Sequence, residues 1–176
     1  MAEKAVPERL SWAVETLELA PSDRVLEIGC GRGVAAALVL DRLKEGTFAA
    51  IDRSHVAIEA ARQRNGESVA AGRASFEVVG LEDADFADGS FDKIFSVNVN
   101  LFWTRSPARE LAALRRWLAP GGSLHLCWEP PGAGRAREIV DKVVPVVEAH
   151  GFAASPVTGV TSTSASLVCV VARPRD

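Results

Sequence analysis

Residues 24–33 read Arg24-Val25-Leu26-Glu27-Ile28-Gly29-Cys30-Gly31-Arg32-Gly33, and this stretch decides the fold. Val25, Leu26 and Ile28 form a short apolar run that predicts a buried strand. Glycines follow at alternate positions, and Val34-Ala35-Ala36-Ala37-Leu38-Val39-Leu40 opens a helix. The glycines therefore fall on a strand-to-helix turn, the setting in which their spacing carries information. Glycine admits φ > 0 and lets a ligand lie against bare main chain. The helix beyond it presents free N–H groups and a positive dipole end to an anionic group. The plain alternative is a tight strand–helix turn with no ligand.

The residues around the glycines narrow the ligand. A dinucleotide fingerprint, G-x-G-x-x-G, requires glycine at position 34, where the chain has Val34. Glu27 stands two residues before the first glycine. A carboxylate there disfavours a pyrophosphate and suits an ammonium group or another cation. Glu27-Ile28-Gly29-Cys30-Gly31-Arg32-Gly33 closely resembles the first motif of the class I S-adenosylmethionine-dependent methyltransferases. In that family the loop holds the methionine and ribose portions of the cofactor. The resemblance implies cofactor contacts from Glu27, Gly29, Cys30, Gly31 and Gly33.

Working outward, Pro7 to Leu19 reads as an amphipathic helix with Leu10, Ala13, Val14 and Leu17 at helical spacing. Pro21-Ser22-Asp23 breaks the chain before the first strand. On the other side, Phe48 to Ile51 predicts a second strand ending on Asp52. Asp52 follows the first glycine by the twenty-odd residues expected of a ribose-binding acid. Its alternative is a cap for the next helix, Ser54 to Arg64, a task Ser54 can perform alone. Arg53 joins Asp52 in the expected cofactor group. Asn65-Gly66 is expected to stop that helix.

Ala74 to Val79 reads as the third strand. The segment Phe86-Ala87-Asp88-Gly89-Ser90-Phe91-Asp92 again resembles the methyltransferases, but the family's usual adenine-facing aspartate falls on Gly80. The main chain after Leu81 and the Glu82 carboxylate are the remaining adenine contacts. The alternative for Glu82 is a solvated acid at a helix start. Phe91 to Val97 predicts the fourth strand and leads into Asn98, where the carboxyl ends of parallel strands place a ligand. Phe102 and Trp103 either line an apolar acceptor pocket or pack the next helix. Arg105 to Leu118 reads as that helix. Leu118-Ala119-Pro120-Gly121-Gly122 reads as the turn into a fifth strand, Ser123 to Trp128. A helix from Arg135 to His150, kinked at Pro145, and strands Phe152 to Val160 and Ala165 to Val171 close the chain.

Alternating strands and helices imply an α/β, Rossmann-like, doubly wound, mostly parallel sheet between two helical layers. The resemblance implies seven strands in the order 3-2-1-4-5-7-6 with one antiparallel member. The 176 residues suit one domain, 1–176, with residues 1–20 expected as a helix packing over the cofactor site. Net charge −3 argues against nucleic acid as partner. The start at Met1 has no apolar core of signal-peptide length, and no run is long enough to span a bilayer. Cys30, Cys127 and Cys169 are widely spaced and odd in number, which implies a reducing, cytoplasmic setting without disulfides or metal.

The implied chemistry is methyl transfer from S-adenosylmethionine to a small-molecule acceptor by a monomer or homodimer. Methylation of protein or RNA and a non-catalytic cofactor-binding module are the alternatives. No general base stands out. The chain has no tyrosine and three histidines. Of these His55 lies at a helix start beside Asp52, His125 sits mid-strand and His150 ends a helix. Asn98 and His55 are the catalytic candidates. Trp12, Phe102, Trp103, Trp128 and Glu129 are the expected rim of a shallow acceptor site.

Overall fold

The computed structural model describes residues 5–176. Met1 to Lys4, part of the segment read as lacking a signal-peptide core, lie outside them. The sheet has seven strands: β1 (Arg24–Ile28), β2 (Thr47–Asp52), β3 (Ala74–Val78), β4 (Phe91–Val97), β5 (Leu118–Trp128), β6 (Phe152–Val160) and β7 (Ser166–Pro174). Their order is β3-β2-β1-β4-β5-β7-β6. The pairs among β1 to β5 are parallel, and β7 runs antiparallel to both β5 and β6. This is the topology expected from the sequence.

The helices are α1 (Glu8–Thr16), α2 (Val34–Arg42), α3 (His55–Arg64), α4 (Gly66–Ala70), α5 (Leu101–Thr104), α6 (Ala108–Trp117) and α7 (Ala133–Ala149). Two large apolar clusters pack against the sheet. One gathers Leu26, Ile28, Ile94, Leu124 and Leu126 with side chains of α6 and α7. The other gathers Val25, Phe48, Ala50 and Phe95 with side chains of α1, α2 and α3. Alternate residues of one strand thus serve opposite helical layers, as the period of a strand requires. Burial on both faces is why the central strands read as near-continuous apolar runs.

Several boundaries differ from the sequence reading. Helix α3 ends at Arg64 with Asn65 as its C-cap, as expected, but a further short helix, α4, begins at Gly66 where none was read. Asn65 is buried, and its Nδ2 donates to Gly33 O at 3.1 Å and to Ala61 O at 2.9 Å. It therefore ties the end of α3 to the glycine loop. The helix expected from Arg105 begins at Ala108, after Pro107, and a separate turn, α5, precedes it. The Pro120-Gly121-Gly122 segment lies inside β5. Phe91 still pairs with Leu118, and the register shifts between Phe91 and Lys93. The glycines therefore form an irregularity within the strand, where Gly121 takes φ +78°. Helix α7 continues through Pro145.

Helix α1 buries Ala13 and Val14 completely, and its C-cap Leu17 is buried with them. Its Glu8 accepts hydrogen bonds from the Ser162 main chain and hydroxyl in the β6–β7 turn. Its Thr16 hydroxyl lies 3.4 Å from His125 Nδ1 and 3.7 Å from Cys169 Sγ. His125 is packed mid-strand, and burial lowers its pKa to about 3. His150 bonds the Val146 carbonyl through Nδ1 at 2.7 Å, at the carboxyl end of α7.

Candidate functional site

The carboxyl ends of β1 and β2 and the start of α2 build the first half of the site. Gly29, Gly31 and Gly33 all adopt left-handed backbone, with φ +69°, +53° and +76°. Side chains at two of them would collide. A Cβ on Gly29 would lie 2.8 Å from Val99 Cγ2, and one on Gly33 would lie 2.9 Å from Ala61 Cα. A Cβ on Gly31 would meet nothing within 4 Å. Gly29 and Gly33 are thus required by packing, whereas Gly31 offers bare main chain on an open side. Cys30 is buried in the α1–α2 cluster. Burial, then Glu27 and Asp52, push its thiol pKa up. A thiol held neutral in this way is not a nucleophile.

Glu27 is 3% exposed, and its Oε2 has no hydrogen-bond partner among the described residues. Burial raises its pKa well above the ordinary carboxylate range, and the nearby Asp52 charge adds to the effect. An unpartnered buried carboxylate is costly, and a cationic donor would relieve that cost. Asp52 is held from two sides. Its Oδ2 accepts from Gly31 N and its Oδ1 from Ser54 N, both at 2.9 Å. Each oxygen keeps lone-pair capacity for a further donor such as a ribose hydroxyl. Ser54 caps α3 through its hydroxyl, so Asp52 is not the helix cap by side chain alone. The Asp52–Gly31 bond also means that Asp52 shapes the loop.

A cavity of about 370 Å³ opens here, lined in part by Gly29, Asp52, Arg53, Leu81, Glu82 and Val99. Arg53 and Glu82 form an ion pair at its wall. Its own main chain and then the Arg53 side chain hold the Glu82 carboxyl below its usual range. Gly80 faces this pair: a Cβ there would lie 2.8 Å from Glu82 Oε2 and 2.9 Å from Arg53 Nε, contacts that these two exposed side chains could relieve by turning. Thr104 and Arg105 also line this cavity, and nothing in the sequence marked them.

A second cavity of about 370 Å³ lies across the segment Asn98 to Leu101. It is lined by Asn98, Asn100, Trp103, Trp128, Glu129 and the amino-terminal part of α7, including Arg135. Asn98 takes φ +58°, a conformation asparagine tolerates better than most residues. Its Oδ1 accepts from Glu129 N at 2.9 Å, which joins the end of β4 to the end of β5. Trp128 donates its indole N–H to Val99 O at 3.2 Å. The Arg135 guanidinium sits 5.5 Å from the Trp103 ring centre. Arg135 was not legible in sequence, because only the packing of α7 brings it to Trp103.

The remaining expected residues lie elsewhere. Phe102 is 1% exposed and belongs to the core, not to either cavity, so the packing alternative holds for it. Trp12 packs on the opposite side, with its indole over Gly159 and against Cys127 and Cys169. His55 is exposed at the start of α3 and lines neither cavity. No group of three or more metal-ligating side chains is found among the described residues. No helix among them is long and apolar enough to cross a membrane.

The comparisons with known proteins agree with this geometry. A model of the methyltransferase domain family matches residues 25–122. The ubiquinone/menaquinone biosynthesis C-methyltransferase of Geotalea daltonii is 32% identical over 64% of this chain and 49% of its own length. A trans-aconitate 2-methyltransferase of Acidovorax ebreus is 31% identical over 66% of this chain and 43% of its own. The chain thus spans less than half the length of these relatives. Among solved structures, geranyl diphosphate C-methyltransferase from Streptomyces coelicolor superposes with TM-score 0.72 at 12% identity, over 96% of this chain and 79% of that one. A second, the [4+2]-cyclase SpnF, gives TM-score 0.76 at 17% identity, over 96% and 81%.

S-Adenosylmethionine is the cofactor this family implies, and the residues fit it: a buried carboxylate oxygen without a partner, a glycine open to main-chain contact, and a doubly anchored aspartate. Asp52→Ala is expected to weaken its binding at least tenfold, since charge-assisted bonds contribute on the order of 1.5–3 kcal/mol each. The same change frees the Gly31 and Ser54 amides, so a melting curve should also show about 1–2 kcal/mol lost stability. Unchanged affinity by calorimetry would leave Asp52 a loop anchor only. The motif, the sheet order and the family match lead to one assignment: the chain belongs to the methyltransferase domain family, S-adenosylmethionine-dependent and of the class I fold.

Proposed function

We propose that this chain transfers a methyl group from S-adenosylmethionine to a small-molecule acceptor held between Trp103, Trp128 and Glu129. The observation that carries this reading is the second cavity. At about 370 Å³ it has the size of a small-ligand site, and it adjoins the glycine-loop cavity across Asn98 to Leu101. The relatives' names, which include a C-methyltransferase and a trans-aconitate methyltransferase, support a small acceptor. The net charge of −3 supports it against a nucleic acid.

Bound S-adenosylmethionine would supply an electrophilic methyl group open to in-line attack by the acceptor, with S-adenosylhomocysteine as the leaving group. The chain's own residues position and shield. Glu27 offers its unpartnered oxygen to the ammonium, and Asp52, aimed by Gly31 and Ser54, accepts the ribose hydroxyls. Leu81 and Glu82 face the adenine. On the acceptor side Trp103 and Trp128 provide apolar walls that exclude water. Among the described residues that line that cavity, Glu129 has the one carboxylate side chain, and Asn98 fixes its main chain. Glu129 therefore takes the acceptor's proton where the acceptor must lose one. Asn98 positions it, and His55 has no part.

Incubation with methyl-labelled S-adenosylmethionine and a cell extract, followed by size fractionation, tests the reading. Label should enter the small-molecule fraction. Label confined to RNA or protein would overturn the small acceptor. No transfer from a protein that binds the cofactor would indicate a binding module instead.

A further inference from the structure

The acceptor cavity does not end at Glu129. Glu129, Pro130 and Pro131 also line a neighbouring groove that passes over the start of α7 to the β6–β7 turn. That groove in turn shares Ala133 and Ser166 with a third, of about 610 Å³, between the first half of α7 and strand β6. The three form one path around the amino-terminal end of α7.

The far end of this path is apolar for a reason visible in the strand. Along β6, Ala154, Pro156, Thr158 and Val160 share one face by the strand's alternation. Ala154 packs under α7 as part of the main cluster. Towards Val160 that covering gives way to the groove, which Ala136 and Val140 of α7 face from the other side. Val160 is left 73% exposed, the most exposed of the large apolar side chains among the described residues. Pro156 removes one ladder donor from this edge strand, which disfavours pairing with another strand there.

From this continuity we infer that the methyl acceptor is an amphiphile: a reacting head in the Trp103–Trp128 cavity and a flexible apolar chain laid around the start of α7 into the α7–β6 groove. The inference rests on the acceptor site proposed above. Head and chain are divided by volume, since the groove at the far end is larger than the head cavity. The path bends at Pro130-Pro131-Gly132, so a linear flexible chain follows it and a rigid fused-ring system does not. Arg137 and Asp141 also border the groove, and their charges lie at its edge with solvent.

The test uses straight-chain alkanoates and straight-chain primary alcohols of increasing length, titrated against the full chain saturated with S-adenosylhomocysteine. Affinity should rise by about fourfold per added methylene, the value of burying one such group, until the groove is filled. Two substitutions, one at exposed Val160 and one at half-buried Ala136, separate the groove from the head cavity. Val160→Glu and Ala136→Trp should abolish the rise for long chains and leave the short members unchanged. Melting curves confirm that both variants fold. No chain-length dependence with either headgroup overturns the inference, as does a rise that survives both variants. A concentration-dependent dimer that Val160→Glu dissolves also overturns it, because the groove is then covered by a second copy. Failure of S-adenosylhomocysteine to bind is read separately and counts against the cofactor site, not the groove.

Discussion

Glu27→Gln is expected to stabilise the ligand-free protein while weakening S-adenosylmethionine binding by about ten- to hundredfold. Both effects come from one carboxylate. In the folded chain Glu27 Oε2 is buried without a partner, and burial, with Asp52 second, raises its pKa well above 4.5. The folded state therefore binds this proton more tightly than the unfolded state. Folding is favoured by this group below the unfolded pKa, and that contribution is lost as pH rises through the folded pKa. A neutral amide removes the dependence. The difference in melting temperature between Glu27→Gln and the parent should widen from pH 5 to pH 8. It should approach the cost of an unsatisfied buried group, about 1–3 kcal/mol, or ~3–10 °C. Taking the difference cancels groups with the opposite sign, such as Asp92, which its bonds to Arg24 hold below the usual range. The loss of affinity has the same origin, since a charge-assisted bond to the ammonium is worth on the order of 1.5–3 kcal/mol. Parallel pH curves, or equal affinity by calorimetry, would remove Glu27 from the site.

The second large effect belongs to Gly33→Ala. Left-handed backbone costs a non-glycine residue about 1–2 kcal/mol. The new methyl would also stand 2.7 Å from Asn65 Nδ2 and 2.9 Å from Ala61 Cα, so α2 and α3 must separate. Overpacking of this kind costs about 1–3 kcal/mol. The sum, about 2–5 kcal/mol, should lower the melting temperature by ~5–15 °C. Gly31→Ala is the contrasting variant. Its φ is also left-handed, but its Cβ meets nothing within 4 Å. It should lose only the backbone portion of the stability and still lose cofactor affinity. Equal destabilisation by the two variants would contradict the different tasks assigned to these glycines.

What the chain itself made legible is local. The glycine loop is readable because φ > 0 at Gly29 and Gly33 is a property of the residue at that position. The mostly parallel, layered sheet is readable because strand and helix periods alternate and crossovers have one hand, whereas the strand order came from the resemblance of the motifs to the methyltransferases. Asp52 is readable because a fixed length of helix and strand separates it from the loop.

Tertiary packing decided the rest, and adjacent residues show why. Phe102 and Trp103 are neighbours in one helical turn, with the same apolar character in sequence. Successive helical positions point about 100° apart, so one fills the core and the other borders the acceptor cavity. Trp12 looked equivalent to Trp128, yet α1 lies against β7 and sends it to the opposite face of the sheet. Arg53 and Glu82 form their ion pair only when β2 and β3 bring their ends together. Arg135 reaches Trp103 only when α7 folds back on the sheet. Backbone conformation and element order follow from nearby residues. Which side chains share a cavity is set by contacts between distant segments, and no local pattern encodes the direction in which a packed side chain points.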